Sequence, residues 1–509
     1  MKNFSMLNYP RLTPAFIIGF IVLLAIGLGN LDGSSAKITD PFHQGEYFAS
    51  FASMFNHQAS QNYLTIHGAL DYIPAWLSFK IYGPTHYFFG TIFLYALTDI
   101  LSAILFYILV TIFTDRFTSN YQAIVLIMAA IVSPMLVTYR DLLLLASLLL
   151  YFACQMELRP LARSFVEIGL GVTVALNIFW SFDRGIAGLV SIGLACLIMT
   201  YRNKSYVKSL ISFFLSILIL NYCTEKFSLH NYIENIKFLI NTSSQWSYGL
   251  QMLPVIRSVT LLLLCSFGLF VLFKSVNNKI TLSNESIANG VLLVMLMIFF
   301  FKIGTNRADL LHIHWSMWPV IIAFLYGQHN KESLIFSARN DFYCSKKLFD
   351  LIRHSGLENL SFILILIALM TPANLADSYH LLSSIIRPRA NEELVSDGVK
   401  WIANELKRTG TNCVFDLANH GVINGFTALP SCTRFAYPVY ANKNYENEII
   451  ESLVRKKPSV IIYSSTHWSF SIDNKNMHDR FPNVKNYLDK EYSNETCKFD
   501  YCLRYLASN

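Results

Sequence analysis

Charged residues are scarce in this chain: Asp, Glu, Lys and Arg make up 14% of its 509 residues, whereas hydrophobic residues make up 53%. A soluble globular domain carries about 25% charged residues, so this composition excludes a large water-soluble protein. Runs of roughly 20 apolar residues, the length needed to cross the hydrocarbon of a bilayer, recur through the first three quarters of the chain. The sequence therefore predicts a polytopic α-helical membrane protein.

Several other signals are missing, and each absence argues against a class of protein. There is no glycine-rich phosphate loop, no low-complexity tract and no CxxC pair, so neither a P-loop nucleotide site nor thioredoxin-like redox chemistry is indicated. No internal repeat is visible, although repeated halves are usual in secondary transporters. The net charge of +7 comes from basic loops between the apolar runs and does not indicate nucleic-acid binding.

The apolar runs predict about 11 membrane spans, an odd number that places the two termini on opposite sides of the membrane. Lys and Arg concentrate in alternate loops, which puts the N-terminus in the cytoplasm and the C-terminus outside. The first run could instead be a cleaved signal peptide, but we predict that it remains as a helix. The runs 142–156 and 185–200 are short, which leaves one hairpin open to another assignment. The predicted spans are 13–30, 85–113, 120–137, 142–156, 164–181, 185–200, 209–223, 253–273, 287–303, 311–327 and 359–376.

The composition changes at about residue 387, where the chain becomes charged and rich in turns. We predict a membrane domain over 1–380, with a long first outer loop at 31–84, and an extracytoplasmic α/β domain over 387–509. Its alternating patterns predict helices at 393–407 and 446–455 and strands at 414–415, 459–463 and 501–505.

Four of the nine cysteines fall in this C-terminal domain, and an oxidising compartment would allow them to form disulfides. Pairing Cys413 with Cys432 and Cys497 with Cys502 is the simplest of three connectivities. Four reduced thiols are the alternative.

The first outer loop gathers acids and imidazoles beside a membrane span. It contains two stretches that fit helices, 44–56 and 68–81, and the aromatic residues of the second favour a position along the membrane interface. Solvated surface acids are the simple alternative, but Asp40 and Glu46 flank a compact Pro/Gly turn, which favours a functional role for them. The polar residues of this loop are Asp32, Asp40, His43, Glu46, His57, His67 and Asp71.

Three further polar clusters are predicted on the same side of the membrane. In the cluster at Arg307, an arginine fork with two imidazoles near the level of the lipid headgroups would suit an anionic phosphate. The alternative, for each cluster, is that neighbouring opposite charges at a helix end neutralise each other. Asp99 lies within a predicted span, where a charge is costly, and its role is left open. The clusters are Arg140-Asp141, Asp183-Arg184, and Arg307-Ala308-Asp309 with His312 and His314.

Three segments carry a family resemblance: D-P-F-H-Q-G-E-Y at 40–47, H-G-A-L-D-Y-I-P at 67–74, and R-A-D-L-L-H at 307–312. They resemble, in order, the acidic motif of the first outer loop, an "HGPLYY"-type segment and an "RxDxxH" stretch found in the GT-C superfamily of membrane glycosyltransferases. The order of spans, interfacial helices and a soluble α/β domain is similar to that superfamily over nearly the whole chain. Many members have a paired Asp-Glu where this chain has Asp40-Pro41.

The resemblance implies transfer of a sugar from a polyprenyl-phosphate donor to a hydroxyl of a glycan, lipid or protein acceptor on the outer face. Asp40 is our first candidate for the base that takes the acceptor proton, and Glu46 is the second. Arg307, helped by His312, would stabilise the leaving phosphate, with Arg184 as a further candidate. The remaining predicted substrate-binding residues are Asp309, which would fix the Arg307 fork, His43 and His67.

Asp40 and Glu46 could also hold Mg²⁺ or Mn²⁺ through oxygen, although nothing in their spacing demands a metal. The resemblance also predicts the inner membrane of a bacterium, with the C-terminal domain in the periplasm. Two alternatives belong to other classes: an O-antigen polymerase-like or ligase-like enzyme, and a transporter or flippase without chemistry. A polymerase would be expected to place its main loop late among the spans, whereas the large loop here comes first.

Overall fold

A computed structural model of the chain describes most of its apolar helices, parts of the first outer loop and most of its C-terminal region. The described residues are 13–31, 38, 40–55, 64–115, 117, 119–201, 206–223, 229–242, 259, 284–306, 310–329, 388–441, 443–464 and 476–507. Asp32, His57, Arg307 and Asp309 lie outside these ranges, and so do the predicted spans 253–273, apart from residue 259, and 359–376.

The described chain is mostly helical, with a small sheet near its C-terminal end. The helices are α1 Pro14–Leu31, α2 His43–Phe55, α3 Ile73–Tyr82, α4 Tyr87–Thr114, α5 Ser119–Leu136, α6 Leu142–Ala153, α7 Pro160–Trp180, α8 Phe182–Tyr201, α9 Val207–Cys223, α10 Leu229–Thr242, α11 Asn284–Asn306, α12 Leu310–Trp315, α13 Trp318–His329, α14 Asn391–Leu394, α15 Asp397–Thr409, α16 Val422–Thr427, α17 Glu446–Lys456, α18 Met477–Arg480 and α19 Pro482–Glu491. The strands are β1 Val460–Ser464, β2 Asn494–Lys498 and β3 Tyr501–Tyr505.

Within the described residues, four helices are long and apolar enough to cross a membrane, namely α4, α7, α8 and α11. Helices α5 and α6 would add a fifth span if they are taken together, because they meet at a break with a bend of 104°. Helices α1 and α9 are apolar but shorter over their described parts. The prediction of a polytopic α-helical membrane protein is confirmed, and the sharp turn between α5 and α6 modifies the prediction of two separate spans there.

The chain divides into two compact units, and the first comprises described residues of 1–30, 97–218 and 250–378. Its core is an apolar cluster around Trp318, Phe106, Phe113 and Tyr151. A buried amide pair adds directional contacts between the turn after α6 and α11, since Gln155 Nε2 donates to Asn289 Oδ1 at 2.8 Å and Asn289 Nδ2 donates back to Gln155 Oε1 at 3.0 Å. These bonds satisfy polar side chains that hydrocarbon could not solvate.

The second unit joins the first outer loop to the C-terminal region, since it comprises described residues of 31–96, 219–249 and 379–509. One apolar core includes Phe48 of α2, Phe88 of α4 and Ile423 of α16. Polar contacts fix the same junction: Tyr87 donates to the carbonyl of Gly425 at 2.6 Å, and Asn391 Nδ2 donates to the carbonyl of Pro84 at 2.8 Å. Chain segments more than 300 residues apart in sequence therefore fold as one body.

The sheet of this unit is antiparallel with strand order β1-β3-β2. The predicted strands at 459–463 and 501–505 are confirmed, whereas β2 was not predicted because its residues are polar and exposed. The predicted strand at 414–415 is wrong: Val414 makes an isolated bridge with Ser431, whereas the carbonyl of Phe415 accepts from the N–H of Ile462, so the hydrogen bonds of this segment go to two different partners.

The predicted helix at 393–407 is divided into α14 and α15. Ser396 separates them because its side chain accepts from the N–H of Val399 and caps α15. Helix α15 ends at Thr409 and is followed by Gly410, whose φ of +65° is a conformation that glycine adopts without steric cost.

Both predicted disulfides are present, Cys413–Cys432 and Cys497–Cys502. The second joins the directly opposed residues of β2 and β3. A disulfide stabilises a domain chiefly by restricting its unfolded chain. Two such bonds are typical of a domain that folds in an oxidising compartment.

Helices α2 and α16 approach each other so closely that only glycine fits at their crossing. A Cβ at Gly421 would lie 2.6 Å from the carbonyl oxygen of Gly45, and a Cβ at Gly45 would lie 2.7 Å from the backbone nitrogen of Val422. Side chains cannot move aside to relieve these clashes because the obstructing atoms belong to the backbone. The crossing therefore fixes the first turn of α2 against the residues that precede α16.

We expect Gly421→Ala to destabilise the second unit by about 1–3 kcal/mol, because the backbone must shift to admit the methyl group. Thermal unfolding in detergent, followed by intrinsic fluorescence, measures this loss. The matched control is Gly193→Ala in α8, where an added Cβ meets nothing within 4 Å. A Gly421→Ala protein as stable as the Gly193→Ala protein would contradict the close backbone contact.

Candidate active site

Asp40 and His43 form a hydrogen-bonded pair at the start of α2. Asp40 Oδ1 accepts from the backbone N–H groups of Phe42 and His43, at 3.2 and 3.0 Å, and its Oδ2 lies 2.7 Å from His43 Nδ1. The two side chains remain about half exposed, at 49% and 50%. Burial raises the pKa of Asp40, but the bonds to His43 and Phe42 outweigh it and the net pKa is lowered. Asp40 is therefore an ionised carboxylate that solvent or substrate can reach.

Glu46 lies one turn further along α2 and is buried, with 7% of its side chain exposed. His67 Nε2 donates to Oε2 at 2.7 Å, and the hydroxyl of Tyr440 donates to Oε1 at 3.0 Å. Burial raises the pKa of this carboxyl, but the charge and hydrogen bond of His67 outweigh it and lower the pKa to about 2. Glu46 is thus a permanent anion that ties α2 to the chain around His67 and to the C-terminal region.

The two predicted carboxylates therefore differ in what they can do. A general base must reach the proton that it takes, and of the two only Asp40 is accessible. Glu46 does not fit a divalent metal either, because each oxygen is already bonded within the protein. Asp40 alone offers too few ligands for a resident ion. We therefore derive no chemistry through a metal at these residues.

Another described group, Glu495 with Cys497 and Cys502, has ligand atoms close enough to share an ion. Its two sulfur atoms form a disulfide, so it does not constitute a metal site.

Two other acids named in the sequence analysis, Asp71 and Asp99, accept hydrogen bonds from other parts of the protein. Asp71 is buried, its Oδ2 accepts from the hydroxyl of Ser50 at 3.5 Å, and its carbonyl accepts from the hydroxyl of Tyr95. Asp99 Oδ1 accepts from the backbone N–H of Tyr139. Both acids thus connect neighbouring segments.

The structure also brings tyrosines of the C-terminal region to α2, which the sequence did not reveal. Tyr437 donates to the carbonyl of Phe42 at 2.9 Å, and its ring meets that of Phe42 edge-on with centroids 5.1 Å apart. Tyr440 supplies the bond to Glu46 described above. No motif marks these residues, because aromatic side chains in a soluble domain are ordinarily part of its core.

His420 is a further residue near Asp40 that the sequence did not reveal. Its backbone N–H donates to Asp416 Oδ2 at 2.6 Å, and its Nδ1 lies 2.7 Å from the hydroxyl of Tyr501. Burial lowers the pKa of this imidazole to about 4, although the negative charges of Asp40 and Asp500 raise it. His420 is therefore neutral at physiological pH.

In the first unit, the clusters Arg140-Asp141 and Asp183-Arg184 join into one network. Arg184 donates through Nε to Asp141 Oδ1 at 3.1 Å and through Nη1 to Asp183 Oδ2 at 2.7 Å. Arg140 Nη2 also reaches Asp183 Oδ2 at 2.7 Å. Arg184 and Asp141 are almost fully buried, with 3% and 0% of their side chains exposed. The charges balance one another within the protein.

The charge of Arg184 is thus neutralised by acids inside the protein, which favours a structural role over the predicted contact with substrate. Trp318 extends the network, since its indole N–H donates to Asp141 Oδ1 at 3.4 Å. Arg307 and Asp309 lie outside the described residues, whereas His312 is in α12 with its ring 5.5 Å from that of Trp315. The substrate-binding roles of these residues remain predictions.

Comparison with known proteins gives a fold but no relative by sequence. No family model matches the chain, and no curated protein matches it. Among solved structures, the chain resembles ArnT from Cupriavidus metallidurans bound to undecaprenyl phosphate, with 11% identity and a TM-score of 0.51 over 97% of this chain and 98% of that chain. The apo structure of ArnT gives 11% identity and a TM-score of 0.49, covering 96% and 97% of the two chains.

ArnT is a glycosyltransferase of the GT-C type, and the likeness extends over nearly the full length of both chains. This chain therefore has a GT-C-like fold, with several apolar helices and a small C-terminal sheet. The fold predicted from the three sequence segments is confirmed. At 11% identity the likeness establishes the architecture alone.

We expect Glu46→Gln to lower stability at pH 7 by on the order of 3 kcal/mol, because it removes the ionised partner of His67. The pKa of Glu46 falls from 4.5 to about 2 in the folded protein. Its contribution is therefore present above pH 4.5 and is lost as the pH falls toward 2. Thermal midpoints of wild type and variant should differ most at pH 6–7 and converge only as the pH approaches 2.

The control for this prediction is Glu234→Gln, since Glu234 is an exposed acid of α10 that pairs with Lys237. It should leave the midpoint unchanged. A Glu46→Gln protein with an unaltered midpoint and the wild-type pH dependence would contradict the role of Glu46 as a buried anion.

We expect Arg184→Met to destabilise the first unit by about 3–5 kcal/mol, because Asp141 would remain buried without its partner. The double variant with Asp141→Leu should recover part of that loss, which thermal unfolding in detergent will show. An Arg184→Met protein with wild-type stability would instead favour the predicted role in substrate binding.

Proposed function

We propose that this protein is a glycosyltransferase that moves a sugar from a polyprenyl-phosphate donor to a hydroxyl of a cell-envelope acceptor. The observation that carries the proposal is the full-length likeness of its fold to ArnT in complex with undecaprenyl phosphate. The acceptor is a glycan such as lipopolysaccharide or O-antigen, another lipid, or a protein. The accessible carboxylate of Asp40, at the start of α2, also supports the proposal.

The reaction joins the acceptor oxygen to the anomeric carbon while the bond from that carbon to the phosphate oxygen breaks. The polyprenyl phosphate leaves with both electrons of the broken bond, and the acceptor proton passes to the base. We assign the base to Asp40, whose carboxylate is ionised and half exposed. As the anomeric carbon gains positive charge, the attacking hydroxyl becomes more acidic, so a carboxylate of low pKa suffices as acceptor.

The other residues of the site hold Asp40 in place or meet the donor. His43 restrains one carboxylate oxygen of Asp40, and Glu46 anchors α2, the helix that carries His43 and that Asp40 precedes. We keep Arg307 and His312 as candidates for the leaving phosphate, because guanidinium and imidazole groups stabilise developing negative charge. We assign Arg184 to the internal charge network.

We further propose a position in the inner membrane of a bacterium, with the N-terminus in the cytoplasm and the C-terminal region in the periplasm. The two disulfides of that region support an oxidising compartment. The distribution of Lys and Arg supports the same orientation.

We expect Asp40→Asn to reduce sugar transfer by about 100-fold or more, in the range that removal of a general base produces. Asparagine keeps an oxygen that can accept the N–H groups of Phe42 and His43, so α2 should begin as before. The measurement follows radiolabelled sugar from polyprenyl-phosphate donors into membrane glycolipid and protein fractions. Wild type and variant are compared at equal levels of inserted protein.

The matched control is Asp397→Asn, since Asp397 is an exposed acid in the first turn of α15 that contacts Lys400. It should leave transfer unchanged. Transfer by the wild type that survives in Asp40→Asn would move the base away from Asp40. Wild-type protein that transfers no sugar from any donor would overturn the glycosyltransferase proposal and favour a polymerase or a transporter.

A further inference from the structure

The start of α2 and the residues that precede α16 are held at a fixed separation. The glycine crossing described above places the backbone of Gly421 against that of Gly45. The hydroxyl of Tyr437 adds a second constraint, because it donates to the carbonyl of Phe42 at 2.9 Å and accepts from the N–H of Gly421 at 3.2 Å. One phenol oxygen thus links the neighbour of His43 to the neighbour of His420.

The orientation of His420 is also fixed. Its backbone N–H is bonded to Asp416, whose other oxygen accepts from the N–H of Ala418 at 2.8 Å. Its ring Nδ1 is bonded to the hydroxyl of Tyr501, and the two rings meet edge-on with centroids 5.5 Å apart. In the described part of the chain, the second ring nitrogen, Nε2, has no hydrogen-bond partner. His420 is not fully buried, and Nε2 is the ring nitrogen that is left for a ligand.

The charge state of His420 indicates which ligand it suits. The ring is neutral near pH 7, because burial lowers its pKa to about 4. A neutral imidazole has one donor and one acceptor, and it offers little electrostatic attraction to a phosphate. When Tyr501 donates its proton to Nδ1, Nε2 carries the hydrogen and can donate to a hydroxyl oxygen. The hydroxyl of Tyr437 brings Asp40 near this ring, because it is bonded both to Phe42, two residues after Asp40, and to Gly421, next to His420. The negative charge of Asp40 also raises the pKa of the ring.

We propose that His420 is an acceptor-binding residue, whose Nε2–H donates to the acceptor hydroxyl while Asp40 receives that hydroxyl's proton. This inference rests on the proposed glycosyltransferase function and extends it. The C-terminal region thus supplies a side chain to the site, and the ligand class is an alcohol, either of a sugar or of an amino acid side chain. Tyr501 acts as a positioning residue that selects the tautomer of His420.

The test compares two isosteric substitutions, His420→Gln and His420→Asn. The glutamine amide reaches the position of Nε2, whereas the asparagine amide reaches only the position of Nδ1. We expect His420→Asn to raise the acceptor KM about tenfold, which is the effect of losing one neutral hydrogen bond. We expect His420→Gln to stay within about threefold of wild type. The donor KM should be unchanged in both.

The assay is run with two acceptors, a membrane glycolipid extract and a serine-containing peptide. The acceptor whose KM changes identifies the class of hydroxyl that His420 binds. Equal acceptor KM values for wild type and His420→Asn would overturn the proposal. So would equal losses in both variants together with a lower thermal midpoint, because that result indicates a structural role. Tyr501→Phe gives an independent reading: it should raise the acceptor KM without altering the donor KM.

The outcomes for His420 can be separated from those for the proposed function. Donor hydrolysis and sugar transfer by the wild type test whether the protein is a glycosyltransferase. The ratio of acceptor KM to donor KM among the His420 variants tests the inference. A wild type that transfers sugar, with variants that show no such split, would leave the function standing and remove His420 from the site.

Discussion

The contact between the backbones of Gly45 and Gly421 is the constraint on which the proposed site depends. It leaves no space for a side chain and fixes the first turn of α2 against the chain before α16. Asp40, His43 and Glu46 belong to that turn or adjoin it. On the other side of the contact, His420 adjoins Gly421, and Tyr437 and Tyr440 bond to Phe42 and Glu46. Because backbone atoms cannot change rotamer, this contact holds the polar groups more rigidly than side-chain packing would.

Local features of the fold were predictable from sequence because they depend on local physics. Hydrophobic runs and short polar motifs mark the apolar helices and the acidic residues at the start of α2. The disulfide pairs were predictable because Cys413 and Cys432, like Cys497 and Cys502, are close in the chain. The short edge strand β2 was missed because exposed, polar strands carry no apolar alternation.

Only the residues of the site near α2 were predictable from the sequence, because the others belong to a distant part of the chain. Asp40 and Glu46 are marked by their turn, but nothing in the sequence links them to Tyr440 or His420, almost 400 residues later. The difference between the two acids was equally hidden. Glu46 is buried and bonded through both oxygens, whereas Asp40 is half exposed, and burial is a property of the assembled unit rather than of the motif.

The shared core of the first outer loop and the C-terminal region has a consequence for biosynthesis. During synthesis, α2 is translated long before α16, so Phe48 and Glu46 lack their partners until the C-terminal region has been made. The acidic site is completed only after the C-terminal region has been translated and has packed against α2. A chain whose C-terminal region has not folded therefore lacks an ordered site, because half of the side chains that hold it are missing.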